Sequence, residues 1–115
     1  MQNSTIKELS IALTVELTNI CDQIKNRSVF VNQILRSCSS IGANASEAKY
    51  AQSKNDFIHK YEVALKECYE TEYWLEILFK TESINETQFR ALSDLCGTIR
   101  RKIIASITTV KKSLS

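Results

Sequence analysis

The stretch SSIGANASEA, residues Ser39–Ala48, carries a glycine and almost no side chain larger than Asn in the middle of a pattern typical of a helix. A glycine inside a helix costs about 1 kcal/mol relative to alanine. Close approach by another helix would compensate, because small side chains let two backbones pack tightly. We expect the large residues of a later segment to fill the remaining space, for example Tyr61, Trp74 and Phe79. The alternative is that part of this face, with Asn44 and Glu47, meets another subunit.

The rest of the composition also favours long helices. The 115 residues include no proline and only two glycines, Gly42 and Gly97. Folds rich in sheets and turns use both residue types as frequent breaks. This length suits one domain, residues 1–115, which can bury about two thirds of its unfolded surface.

Capping signals divide the chain into four amphipathic segments. The first begins at a capping box from Thr5 to Glu8 and extends to about Lys25, before the polar turn KNRS. The second extends to about Gln52. Ser53 and Asp56 begin the third, the polar sequence TESIN closes it, and Asn85 with Gln88 caps the fourth, which runs almost to the C-terminus.

Each segment carries apolar residues at spacings of three and four. The stripes include Leu9, Leu13 and Leu17; Ile34, Cys38, Ile41 and Ala45; Ile58, Leu65, Cys68 and Leu75; and Leu92, Cys96, Ile99, Ile103 and Ile107. Helices of roughly 20 to 29 residues would be about 30 to 43 Å long, and the loops are too short to cross that length. The predicted fold is therefore all-α, an antiparallel up-down-up-down four-helix bundle.

Several functional classes lack support in the sequence. No basic leader or apolar run of about 20 residues indicates export or a membrane span, so we expect a cytoplasmic protein. The four cysteines are far apart in the sequence, and we expect them to be reduced thiols in the core. In an antiparallel bundle, Cys38, Cys68 and Cys96 would lie at similar distances along the axis, so the alternative is a metal or redox cluster. The only histidine, His59, belongs to no catalytic or metal-binding pattern. No catalytic residue, cofactor, metal ligand or small-molecule substrate is predicted.

Two motifs carry a family resemblance. RSCSSIGANASEA (Arg36–Ala48), followed by SKNDFIHKYEVALKECYETEYWLEIL (Ser53–Leu78), resembles the four-helix-bundle proteins encoded within intervening sequences of bacterial large-subunit ribosomal RNA genes. The accessory variability proteins of diversity-generating retroelements belong to the same superfamily. The resemblance implies a homo-oligomer, typically a pentameric barrel, with proposed nucleic-acid binding and no assigned catalytic activity.

The residues that match the family pattern fall in the second and third segments. They are Arg36, Ser40, Gly42, Ala43, Asn44, Glu47 and Ala48, then Phe57, Leu65, Glu67, Glu70, Tyr73, Trp74 and Leu75. Ala45 stands where the family often has a bulkier aliphatic residue. Eight residues are predicted to serve packing or an interface: Arg36, Ser40, Gly42, Ala43, Asn44, Glu47, Glu72 and Trp74.

Charge is distributed unevenly between the last two segments. From Gln88 to Ser115, Asp94 is the single acidic residue against six cations, a local balance of +5, whereas the range from Lys54 to Glu82 has a balance of −3. The six cations are Arg90, Arg100, Arg101, Lys102, Lys111 and Lys112. Arg90, Arg101 and Lys112 are eleven residues apart and form one row, and Arg100 with Lys111 forms a second.

This basic stripe is the predicted contact with RNA or DNA, made through the phosphate backbone, since no aromatic residue is interleaved for base stacking. The alternatives are an ordinary solvated face, or pairing of the basic helix with the acidic third helix. A protein-interaction scaffold without nucleic-acid affinity is the second functional hypothesis.

Glu72 lies on the apolar stripe of the third segment. A buried carboxylate must be paired, protonated or placed at an interface. We expect it to contact Arg36, Asn44 or a serine hydroxyl of the second segment.

Overall fold

Four helices follow one another along the chain in the computed structural model, which describes residues 4–114. They are α1 (Ile6–Cys21), α2 (Ser28–Ala48), α3 (Lys54–Lys80) and α4 (Glu86–Leu114). No strand occurs between residues 4 and 114. The all-α four-helix prediction is confirmed.

The predicted caps begin three of the helices. Thr5 Oγ1 accepts a hydrogen bond from the Glu8 amide at 3.0 Å, and Ser53 Oγ accepts one from the Asp56 amide at 3.1 Å. At α4 the cap is reciprocal: Asn85 Oδ1 accepts from the Gln88 amide, and Gln88 Oε1 accepts from the Asn85 amide. These side chains satisfy amides that have no partner inside the helix.

Two helices end about four residues earlier than predicted. Helix α1 stops at Cys21 rather than near Lys25, because the amides of Gln23 and Ile24 bond carbonyls three residues back and Asn26 adopts a left-handed φ of 62°. Helix α2 stops at Ala48 rather than near Gln52 through the same tightening of its last turn. The apolar period alone did not locate these ends.

Neighbouring helices are antiparallel. Ser10 of α1 lies against Gly42 of α2, and the Thr14 hydroxyl reaches the carbonyl of Cys38, so residue numbers rise on one helix as they fall on the other. The ion pairs Glu72–Arg100 and Glu62–Lys111 show the same relation between α3 and α4. Helix α4 also packs against α1, which closes the bundle.

The buried apolar side chains form one cluster along the bundle axis. Its fully buried members come from all four helices and include Leu13, Leu17, Ile34, Cys38, Ile41, Leu75, Leu78, Leu92, Ile99 and Ile103. Two polar residues join this core, because Thr71 Oγ1 of α3 lies 2.8 Å from Ser37 Oγ of α2. These two hydroxyls are thus paired with each other, which removes most of the cost of their burial.

Candidate nucleic-acid interface

Helix α4 presents its two basic rows in different environments. Arg90, Arg101 and Lys112 are all exposed, and successive members are eleven residues, or about 16 Å, apart along the helix. Arg90 donates to Glu86 one turn away at 2.8 Å, an exposed pair that contributes little to stability. Arg101 Nη2 donates to Thr98 Oγ1 at 3.2 Å. This first row is the surface that a phosphate backbone could reach.

The second row lies along the seam with α3. Arg100 Nε donates to Glu72 Oε1 at 3.0 Å, and Lys111 Nζ lies 3.6 Å from Glu62 Oε2. Lys102 is half-buried. The basic and acidic helices therefore pair within one chain along this row, which is one of the alternatives that the charge pattern left open.

Glu72 is paired, as its position demands, but within the chain its partner differs from the predicted one. It contacts Arg100 of α4 rather than any residue of α2, and it is about 30% exposed. The antiparallel register brings residue 100 opposite residue 72, while α2 packs against the neighbouring face of α3 through Thr71. The Arg100 guanidinium also lies 5.9 Å from the ring centre of Tyr69.

Gly97 lies where the two basic rows meet, and no function was predicted for it from the sequence. A Cβ atom at Gly97 would lie 3.2 Å from Arg101 Nη1 and 3.5 Å from Arg100 Nη2. Both guanidinium groups therefore fold back over the glycine, which they bury. The signal in the sequence was the position of two arginines three and four residues after a mid-helix glycine, since helical side chains point toward the N-terminus.

The family-pattern residues of α2 mostly make contacts within the chain. Arg36 donates to Glu67 at 3.3 Å and to Glu70, and Glu70 also accepts from the indole of Trp74 at 3.0 Å. The Asn44 amide group donates back to Ser40, at its carbonyl and its hydroxyl. Glu47 lies 3.5 Å from Lys60 Nζ. These contacts join α2 to α3 and stiffen α2 itself.

Gly42 lies where α1 and α2 approach each other closely. A Cβ atom there would lie 3.0 Å from Ser10 Cβ, so the predicted tight packing is present and its partner is α1. Of the large side chains expected to fill the space, Tyr61 lines an open cleft together with Ala45. Trp74 and Phe79 do not, because they stack on Phe30 and Phe89 elsewhere in the bundle.

An open groove runs beside Gly42 on the outer side of α1 and α2. Its volume is about 290 Å³, and its lining residues are Lys7, Ser10, Ile11, Thr14, Val15, Ser39, Gly42, Ala43 and Ser46. Ile11 and Val15 are 53% and 54% exposed although both are apolar. The Ser10 hydroxyl is buried and has no hydrogen-bond partner among the described residues.

The cysteines are free thiols buried in the core, as predicted. Cys96 Sγ contacts the carbonyl of Cys68 at 3.7 Å, and hydrogen bonding to Cys68 together with burial raises the pKa of the Cys96 thiol. Burial raises the pKa of Cys21 to about 11 and also raises that of Cys38. Within residues 4–114 no group of three His, Cys, Asp or Glu side chains could hold a metal ion. The thiols of Cys21, Cys38 and Cys96 are therefore protonated near neutral pH.

The fold and the site define a small four-helix bundle with a charged surface on α4 and an open groove between α1 and α2. No described helix is both long enough and apolar enough to cross a membrane. The family model described as "23S rRNA-intervening sequence protein" matches residues 2–105, and the chain belongs to that family. The family expected from the two motifs is thus confirmed.

A solved structure supports the same assignment. A protein of unknown function from the S23 ribosomal protein family of Bacteroides thetaiotaomicron VPI-5482 is 42% identical to this chain, with a TM-score of 0.84. The match covers 90% of this chain and 98% of the Bacteroides chain. The comparison with curated proteins gives no significant match.

Proposed function

We propose that the protein is a non-enzymatic, cytoplasmic homo-oligomer that binds the phosphate backbone of RNA or DNA through the exposed face of α4. The observation that carries this proposal is the alignment of Arg90, Arg101 and Lys112 in one exposed row. The family name supports ribosomal RNA as the first nucleic acid to test. Contacts of this kind position a duplex without reading its sequence.

Oligomerisation would make the row effective. Three cations on one subunit release few counterions, whereas copies repeated around a ring engage many phosphates at once. The resemblance implies five subunits. The exposed apolar side chains of Ile11 and Val15, next to the small residues Gly42 and Ala43, support self-association, because an apolar surface of this kind gains free energy when it is covered.

A protein-interaction scaffold without nucleic-acid affinity is the second candidate. The observation that favours it is the pairing of Arg100 with Glu72 and of Lys111 with Glu62, which neutralises part of the basic helix within the chain. The same apolar groove on α1 and α2 would then carry the function. The two candidates differ in whether phosphates bind at all.

Fluorescence anisotropy with a structured RNA separates these candidates. We expect binding at low salt that weakens steeply at physiological salt, and further weakening when Arg101 and Lys112 become alanine. Light scattering on the same samples gives the number of subunits. Absence of binding at low salt would favour the scaffold, and a strictly monomeric mass would remove the argument from repeated charge.

A further inference from the structure

We propose that Arg100 and Arg101 form a phosphate clamp over Gly97, in which one phosphodiester group of a nucleic acid bridges the two guanidinium groups. The inference rests on the proposed function and locates its strongest contact. Arg101 would therefore differ from the other two residues of the exposed row, because Arg90 and Lys112 would act only as simple charges.

Two guanidinium nitrogens lie close together on the helix surface beside Gly97. Arg100 uses Nε to bind Glu72, and Arg101 uses Nη2 to bind Thr98. Arg100 Nη2 and Arg101 Nη1 remain, and both lie within 3.5 Å of the position that a Cβ of Gly97 would occupy. Guanidinium groups bind phosphate oxygens with paired, charge-assisted hydrogen bonds, so two converging groups fit one phosphate well.

Electrostatics favours an anion at this point. Two guanidinium groups that converge repel one another, and Glu72 neutralises only one of the two charges. Tyr69 supports the Arg100 guanidinium from the α3 side, at 5.9 Å from the ring centre. Glu72 and Tyr69 are therefore positioning residues for Arg100, and the outer side of the pair faces solvent through the exposed Arg101.

The glycine is explained by the same arrangement. A mid-helix glycine is less favourable than alanine, and α4 makes no turn at Gly97 that would need its conformational freedom. Its missing side chain lets the Arg101 guanidinium lie close against the helix backbone. A methyl group there would lie 3.2 Å from Arg101 Nη1 and would displace that end by a few tenths of an ångström, whereas Arg100 Nη2 at 3.5 Å would be in ordinary contact.

The first test compares Arg101→Lys with the matched control Arg90→Lys, which keeps the same charge in the same exposed row. The probe is a 20-base-pair RNA duplex at low salt. Lysine keeps the charge but loses the forked donor group, so Arg101→Lys should weaken binding about five- to tenfold. Arg90→Lys should change it less than about twofold. Gly97→Ala should weaken binding with both arginines retained.

The second test measures phosphate binding without nucleic acid. Inorganic pyrophosphate is titrated into the full chain, and NMR follows the Gly97 amide and the arginine side-chain Nε–Hε signals. We expect saturable shifts at Gly97, Arg100 and Arg101, absent from Arg90 and lost in Gly97→Ala. Circular dichroism of each variant confirms that the helices are retained.

The two tests fail in distinguishable ways. If RNA binds but Arg101→Lys and Arg90→Lys weaken it equally, and pyrophosphate leaves Gly97 unshifted, the clamp is wrong and the proposed function stands. If pyrophosphate shifts the Gly97 signal but no RNA binds, the two arginines bind phosphate groups, and the proposal that these belong to a nucleic acid is wrong. If neither ligand binds, both proposals are overturned.

Discussion

Substitution of Gly42 by alanine tests the contact on which the packing of α1 depends. The new methyl group would lie 3.0 Å from Ser10 Cβ, whereas carbon atoms in good contact are about 3.5–4.0 Å apart. Ser10 Cβ is bonded directly to the α1 backbone, so the helix itself must move. Overpacking of this kind costs about 1–3 kcal/mol, and the better helix propensity of alanine returns about 1 kcal/mol. We expect a net loss of about 1 kcal/mol.

A double-mutant cycle isolates the contact. In a Ser10→Gly background the opposing Cβ is absent, and Gly42→Ala should then stabilise the protein by about 1 kcal/mol. The coupling between the two positions is therefore expected to be about 1–3 kcal/mol. Ser10→Ala is the matched control, because it removes the hydroxyl but keeps the Cβ, and Gly42→Ala should be as harmful there as in the parent chain.

The assay is urea unfolding followed by circular dichroism at two protein concentrations, because association makes the midpoint concentration-dependent. Stabilisation by Gly42→Ala in the parent chain, equal to that in the Ser10→Gly background, would refute the reasoning. The glycine would then have no role in bringing α1 and α2 together.

Three further predictions concern the core and the interhelical contacts. Thr71→Val should lower the free energy of unfolding by about 1 kcal/mol, less in a Ser37→Ala background, since the two hydroxyls are partners; urea unfolding measures both. Trp74→Phe should cost a similar amount through loss of the indole bond to Glu70, and an unchanged urea midpoint would contradict it. Burial raises the pKa of Cys21 to about 11, so the unfolded chain loses this proton first; unfolding free energy should fall as pH rises from about 9 to 11, and less so in Cys21→Ala.

The sequence predicted the positions of the helices better than the contacts between them. Apolar spacing and three caps located four helices, because both signals are local and each depends on residues within one or two turns. The ends of α1 and α2 were missed, since their last turns tighten without any glycine or proline to mark them. The spacing of apolar residues indicates that a helix is present, whereas the position of its last turn depends on how the chain bends toward the next helix.

Partners across helices were harder to predict. The small face around Gly42 indicated a close approach but could not name α1 as its partner, because α1 and α3 both neighbour α2 in a bundle. Glu72 was expected to meet α2 for the same reason, and the register of α3 against α4 placed it beside Arg100 instead. Residue spacing gives the face of a helix but not the rotation of its neighbour.

Residue spacing predicted how the basic residues of α4 are grouped but not how they are paired. Eleven-residue spacing correctly grouped Arg90, Arg101 and Lys112 on one face, because eleven residues complete three turns. It could not show that Arg100 and Lys111 form ion pairs with Glu72 and Glu62 of α3.

The salt dependence of duplex binding shows whether α4 is the nucleic-acid surface. The slope of log K against log salt counts the phosphates neutralised, at about 0.9 per contact on B-DNA. Changing Arg90, Arg101 and Lys112 together to glutamine should make the slope shallower by about two to three per bound subunit. The charge-matched control changes the exposed Lys25, Lys54 and Lys66 to glutamine and should leave the slope near that of the parent chain. Equal slopes for the two triple variants would contradict the assignment of α4 as the nucleic-acid surface.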